Sequence, residues 1–509
     1  MQQGPSEGAI SGPSVSERSR LAAGVKSTFI ANVVIFAATA AQLVVITRLL
    51  PKSDFGAYRT VRDIWAIAAP LAGAGIGIAL MKFAAQYRAT DRSKLQAVTS
   101  SAVLLSLITT SVVFLALALS ARFIAVKFYK EPRVASPILI TSFAVALTVL
   151  HDQFLCFLQG IDKIIVLNRI RILHISSTFV LVALLTRLYG ISGVFIGLLA
   201  GSACALSFSF LFALKAARET SVRLRPRPDA AALRQLLGFG VPTLLGSVIV
   251  FPAFWFGGFV VWRYSGSSDL ARFGVGFSIS QILLLTIPEA IAVPLIPLIS
   301  NLNATDPQRA KALTVRVFRL TGVVALFATL CVATLARVGT PLALGAQYSG
   351  EYFIVFAMSV YAFCVIVRRP IACYIVGVGK MWLLLSFDLF WFCIFIPSSW
   401  FLASKFGPEG LACAYLFTYL VYFAVLYLYG RARIDLPWRD TAVLAVVATL
   451  SLSASFYVLK YNLSLVMTIL AAVLISTGAV GVILFSYRRE QRSELVSLLR
   501  RMLFRREPA

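Results

Sequence analysis

Apolar segments about 20 residues long recur along the whole chain, each closed by a short basic turn. At 1.5 Å per residue, a helix of that length crosses a hydrocarbon core of roughly 30 Å. Only helices and closed barrels satisfy their own backbone in hydrocarbon. Barrel strands would read as alternating segments of about 10 residues, so the length selects helices. Composition agrees, because only 13% of the 509 residues are charged and 59% are hydrophobic, against about 25% charged in soluble domains. The expected fold class is an all-α polytopic membrane protein.

The segments give fourteen spans, at 27–48, 64–84, 96–119, 135–158, 164–187, 190–214, 236–262, 272–300, 316–337, 351–376, 381–403, 410–430, 440–460 and 463–486. Pro288, Pro294 and Pro297 predict a kink in the eighth. Residues 1–26 are polar, rich in Gly and Ser at their start, and expected to be disordered. The first span reads as a retained signal anchor with no separate signal peptide before it. The basic tail 487–509 reads equally as an amphipathic helix on the membrane surface or as a solvated tail.

With a cytoplasmic N-terminus, 33 of the 47 Lys and Arg fall in cytoplasmic segments, as the positive-inside rule requires. Both termini are then cytoplasmic. The same asymmetry accounts for the net charge of +26 without nucleic acid. The seven cysteines all fall within spans, as small buried packing residues without disulfide or metal-ligand spacing. No cofactor is indicated.

Two landmarks repeat. Arg48, Asp54 and Tyr58 have counterparts in Arg263, Asp269 and Phe273, and GIDK (Gly160–Lys163) has one in GVGK (Gly377–Lys380). The offsets are 215 residues (48 to 263) and 217 (160 to 377). An even number of spans per unit makes the repeat parallel, about an axis along the membrane normal. The expected organisation is a six-helix lobe at 27–215, a basic linker at 216–235, a second lobe at 236–430, and two extra helices at 431–486. Two lobes around a cavity suit alternating access, hence a transporter. Arg48, Asp54, Arg263 and Asp269 then mark an external corner in each lobe, with Arg48 and Asp54 forming a local pair.

Aligned on the GxxK turns, His151 and Asp152 correspond to Arg368 and Arg369, and Arg171 corresponds to Asp388. These groups lie about 12–14 Å in from the turns, near mid-membrane depth, with His174 slightly deeper. Each charge would cost roughly 2.5–3.5 kcal/mol facing lipid, so they are expected to face one another or water. Asn168, Arg171 and His174 share one helix face. Arg171, Arg368, Arg369, His151 and His174 would suit a diphosphate, arginine offering forked phosphate contacts. The competing reading is a structural ion pair such as Asp152–Arg171. Asp63, Glu289, Asp152 and Asp388 are candidates for coupling to H⁺ or Na⁺ or for charge pairing.

RLLPKSDFGAYRTV, GIDK and ARFGVGFSISQILLLTIPEAIAVPLIPLIS resemble polysaccharide-biosynthesis transporters, the Wzx-type lipid-linked oligosaccharide flippases of the MOP superfamily. The resemblance covers roughly residues 24–486. It implies a V-shaped pair of lobes with a basic cavity, in a bacterial inner membrane rich in lipid contacts. It implies transfer of undecaprenyl-diphosphate-linked sugar from the cytoplasmic to the periplasmic leaflet, for surface polysaccharide such as O-antigen or exopolysaccharide, and partnership with polymerase and export proteins. FPAFWFGGFVVWR departs from the family, which often carries Asp or Asn in that span. A MATE-type cation-coupled drug exporter is the main alternative, but it needs an acidic cavity. A membrane glycosyltransferase or polymerase is another; no DxD occurs, and GVGKM lacks the first Gly and final Ser/Thr of a P-loop, so an enzyme is not expected.

Overall fold

The computed structural model describes residues 15–88, 90–461 and 463–487. Among them the chain forms thirteen α-helices and no strand. In order these are α1 (Val15–Leu49), α2 (Lys52–Gly73), α3 (Ile76–Tyr87), α4 (Arg92–Phe123), α5 (Ala135–Gly160), α6 (Ile164–Glu219) and α7 (Ala230–Ser265). Then follow α8 (Ser267–Thr305), α9 (Pro307–Leu344), α10 (Tyr352–Gly377), α11 (Met381–Ile434), α12 (Trp438–Lys460) and α13 (Leu465–Ser486). Among the described residues ten helices are long and apolar enough to cross a membrane, or eleven if the bent pair α2–α3 is one span. Helix α8 continues as helix through Pro288, Pro294 and Pro297.

Helix α1 begins at Val15, inside the stretch expected to be disordered. The reason is local, since Ala, Leu, Glu, Arg and Lys from Glu17 to Lys26 are strong helix formers and extend the apolar helix backwards. Residues 1–14 and the basic tail from 488 onward lie outside the described residues.

The longest helices are each two helices. At Gly190 (φ 58°, ψ −134°) and Gly407 (φ 59°, ψ −136°) the backbone takes a conformation open essentially to glycine alone. The chain then folds back on itself. In α6 a Cβ at Gly193 would lie 1.9 Å from the Leu185 carbonyl, one at Gly197 2.7 Å from Val182 Cα, and one at Gly201 2.3 Å from Thr178 Oγ1. Those pairings run in opposite directions along the sequence, which defines an antiparallel hairpin. Lipid supplies no hydrophobic drive for helix association, so close backbone approach over small residues holds the two arms together.

The α11 hairpin closes through aromatic rings. Phe395–Tyr415 centroids are 4.8 Å apart and Trp391–Tyr419 centroids 5.1 Å. Its turn glycine is as tight, a Cβ at Gly410 falling 2.0 Å from the Leu402 carbonyl. The pairs Gly190/Gly407, Gly193/Gly410 and Leu185/Leu402 all share the 217-residue offset (190 to 407). So do α5 and α10, 26 residues each, and the N-cap lysines after them, Lys163 (φ −91°, ψ 49°) and Lys380 (φ −88°, ψ 51°). The sequence repeat is therefore a repeat of backbone conformation.

Helix α2 packs against α7 and α8, joining the N-terminal half to the C-terminal half. Its bend into α3 lies at Ala74 and Gly75, both at positive φ (46° and 68°). Gly75 is needed there, because a Cβ would sit 2.4 Å from the Gly240 carbonyl of α7. Helices α12 and α13 pack on α9.

Candidate functional site

Three groups of polar side chains sit among these apolar helices. The first lies where the halves meet. On α2, Arg59 Nη2 is 2.8 Å from Asp63 Oδ1, and both side chains are nearly buried. The Arg59 guanidinium lies 4.0 Å over the Phe277 ring of α8, an arrangement worth about 2 kcal/mol when desolvated. A Cβ at Gly258 of α7 would lie 2.9 Å from Asp63 Oδ2, so glycine there admits the carboxylate. Asp63 therefore has a specific partner in Arg59, which the sequence reading passed over although the two stand four residues apart. Arg62, its sequence neighbour, is exposed and lies near Trp65 instead.

The second group lies within the N-terminal half, between α5 and the two arms of α6. His151 is 1% exposed, with Nδ1 3.1 Å from the Ala205 carbonyl and its ring 4.8 Å from that of His174. Asp152 is exposed and Arg171 half-buried. They lie close enough for their charges to interact but form no ion pair within 4.0 Å. Asn168 turns to α1, donating to Ser27 and Thr28 hydroxyls at 3.2 and 2.9 Å. The expected polar stripe on α6 is thus split between α1 and α5.

The third group occupies the same place in the C-terminal half, between α10 and the arms of α11. The Arg368 guanidinium lies 4.5 Å from the Tyr422 ring centroid and 5.6 Å from that of Tyr419. Tyr422 donates a hydrogen bond to Asp388 at 2.5 Å. Arg368 Nε is buried without a hydrogen-bond partner. Such a guanidinium, held by ring faces with one carboxylate nearby, keeps donor capacity for an anion. Arg369 is half-buried beside it.

The two intra-half groups coincide under the repeat. His151 meets Ala205, and at the same offset Arg368 meets Tyr422. The contacts of His151 with His174 and Ala205, and of Tyr422 with Arg368 and Asp388, each stay within one half. These side chains are thus organised inside their own half, while Arg59–Asp63 occupies the seam. Sequence reasoning missed Tyr419 and Tyr422 together with Arg59. Their signal was the Tyr415, Tyr419, Tyr422 spacing, which puts three phenols on one helix face.

The corner residues need correction. Arg48 and Asp54 do not pair with each other. Arg48 donates from Nε to the Ala343 carbonyl at 3.0 Å and from a terminal nitrogen to the Leu342 carbonyl, capping the end of α9. Those carbonyls lack helical partners, so they draw the arginine across the seam. Asp54 instead pairs with Arg133 at 2.9 Å. Asp269 pairs with Arg272 at 3.2 Å, and Arg263 is exposed. Glu351, 3% exposed, bridges the halves through Lys52 at 3.4 Å and Arg272 at 2.8 Å; Arg272 also pairs with Glu409. The Glu289 side chain lies outside the described residues. Among them no cluster of His, Cys, Asp and Glu could hold a metal ion. None of the seven cysteines forms a disulfide, but only Cys364 and Cys373 are buried; Cys393 is exposed because its helix face turns outward.

The fold matches solved structures. An inward-facing multidrug resistance MATE family transporter of the MOP superfamily superposes with TM-score 0.68 at 15% identity, covering 78% of this chain and 94% of that one. An outward-facing structure of such a transporter gives 0.59 at 16% identity, over 80% and 95%. Lipid II flippase MurJ, in an inward closed conformation, gives 0.68 at 14% identity, over 95% of this chain and 99% of that one. No curated protein sequence matches significantly. The family described as polysaccharide biosynthesis protein matches residues 21–303, more than half of the chain. With that match, the chain belongs to the polysaccharide biosynthesis protein family, and its helices take the fold seen in MOP-superfamily transporters.

Proposed function

We propose that the chain flips a lipid-linked oligosaccharide, carried on undecaprenyl diphosphate, from the cytoplasmic to the periplasmic leaflet of a bacterial inner membrane. The observation that carries this reading is the likeness to the lipid II flippase over 95% of this chain and 99% of that one, within a polysaccharide biosynthesis family. The MATE structures leave more of this chain uncovered.

In this reading the chain crosses the membrane fourteen times. The bent pair α2–α3 is one crossing, each hairpin helix makes two, and both termini are cytoplasmic. The halves act as six-helix lobes, and the Pro51 end is the periplasmic one. The better superposition on an inward-facing relative supports closure at that end, as do Arg48 on α9 and Lys52 on Glu351. Arg171, Arg368 and Arg369 would neutralise the diphosphate, with His151 and His174 beside them as hydrogen-bonding groups, while the lipid tail stays in the bilayer. Basic groups of this kind disfavour a cationic drug. Asp63, Asp152, Asp388 and Glu289 are the candidates for an H⁺ or Na⁺ coupling site, and polymerase or export proteins are the expected partners.

Removal of the protein should leave sugar-linked undecaprenyl diphosphate on the cytoplasmic leaflet, read by its protection from an externally added lectin. Unchanged leaflet distribution would end the flippase reading. Export of a cationic dye by the purified protein would favour a drug exporter.

A further inference from the structure

The basic linker between the halves and a cavity in the N-terminal half adjoin. The cavity, about 350 Å³, lies among α3, α4, α5 and the second arm of α6, within the size range of ligand pockets, roughly 300–1,000 Å³. Its walls are apolar, and no charged side chain lines it. Thr99 Oγ1, Ser106 Oγ and Gln153 Oε1 line it, buried and without hydrogen-bond partners. Buried polar atoms are costly when unpaired. Water could pair them but would leave the apolar walls wet, so an amphiphile fits better.

Leu107 of α4 and Phe210 of α6 stand at the cavity's mouth, 40% and 42% exposed. They belong to outward apolar faces with Val112, Leu115 and Leu211, so the mouth opens to lipid. At its other rim lies the linker, whose Leu224 lines the cavity. Gln96 of α4 clamps it, accepting from Arg223 N at 2.6 Å and donating to the Arg223 carbonyl at 2.8 Å. Asp229 N donates to Ser101 Oγ at 3.2 Å. Arg223, Arg225 and Arg227 are exposed beside this rim.

From this juxtaposition we propose that the cavity binds an anionic glycerophospholipid, with its phosphate on the linker arginines and an acyl chain in the cavity. Thr99 lies seven residues into α4 from Arg92, and Gln153 seven before the end of α5 at Gly160. Both therefore stand about 10 Å from the same helix ends, the depth of a glycerol ester. An ester carbonyl accepts a hydrogen bond from the Thr99 hydroxyl, which a polyprenyl chain has no group to do. Charge on the linker selects an anionic head group.

The test is lipid retention by the purified full-length protein, read by native mass spectrometry after exchange into phosphatidylglycerol, phosphatidylcholine or polyprenyl phosphate. Wild type should retain phosphatidylglycerol over phosphatidylcholine. Arg223→Gln, Arg225→Gln and Arg227→Gln together should lower phosphatidylglycerol affinity by about fivefold per arginine and leave phosphatidylcholine unchanged. Val103→Trp fills the cavity and should abolish retention of both. Thr99→Val keeps the volume, spares the fold, and should weaken retention by loss of the ester contact. Equal retention of both phospholipids by wild type, unchanged binding in Thr99→Val, or binding by a folded Val103→Trp would each overturn the site. Displacement of phosphatidylglycerol by equimolar polyprenyl phosphate would overturn its assignment to a glycerophospholipid.

Discussion

Tyr422 reaches Asp388 with its hydroxyl at 2.5 Å while its ring lies under the Arg368 guanidinium. One side chain thus sets the positions of both charges in the C-terminal half. Tyr422→Phe keeps the ring and removes the hydrogen bond, a loss of about 1.5–3 kcal/mol for a bond to a charged acceptor. Transport should fall at least tenfold with membrane levels unchanged. Wild-type rates in a leaflet-exchange assay would show that the bond is dispensable.

Arg368→Ala combined with Arg369→Ala should abolish flipping and leave insertion intact. Arg368→Lys should fail nearly as badly, because a point ammonium cannot spread over two rings or make a forked phosphate contact. Normal transport in the double variant would remove these arginines from the substrate path.

Glu351 is nearly buried between Lys52 of one half and Arg272 of the other. Glu351→Gln should loosen the Pro51 end, raising severalfold the labelling rate of a cysteine placed at Leu50, which is 2% exposed. Lys52→Gln should raise the rate in the same direction, because it removes the cross-half partner and leaves Arg272 on Glu351. If labelling stays at the wild-type rate in Glu351→Gln, the bridge does not hold this end closed.

Asp63→Ala strands the Arg59 guanidinium between α2 and α8, and breaking a buried pair from one side costs about 3–5 kcal/mol. Replacing both, Arg59→Met with Asp63→Leu, should be less damaging than Asp63→Ala alone. Thermal unfolding of the single and double variants gives the coupling, and additive losses would mean that the two residues do not act together.

Gly407→Ala places a Cβ on a backbone at φ 59° and should cost about 1–3 kcal/mol. Gly193→Ala should cost more, since the Cβ would overlap the Leu185 carbonyl. The melting temperatures of these variants check the order; an unchanged value for Gly193→Ala would refute the tight turn.

The spans were readable because crossing a bilayer needs a long apolar run, a property of consecutive residues. The hairpin turns were readable for a related reason. YGISG and FGPEG stand 217 residues apart (189 to 406) and add a third landmark to the repeat. The partners of the charges were not readable in this way. Asp63 stands beside Arg62 in sequence, but one helix turn carries Arg59 to its face. Arg48 and Asp54 stand six residues apart yet reach different places, Arg48 the end of α9, 295 residues away, and Asp54 the turn before α5.

The sequence by itself therefore determined the helical class, the membrane setting and the doubled organisation, because length, hydropathy and glycine spacing act locally. Tertiary structure alone decided that His151 meets His174, and Arg368 comes near Asp388, inside their own half. It also decided that Arg59–Asp63 sits in the seam and that Tyr422 joins Asp388 to Arg368. Those pairings depend on which faces meet when the hairpins close, and a charge in a low-dielectric interior is governed by its nearest neighbours in space.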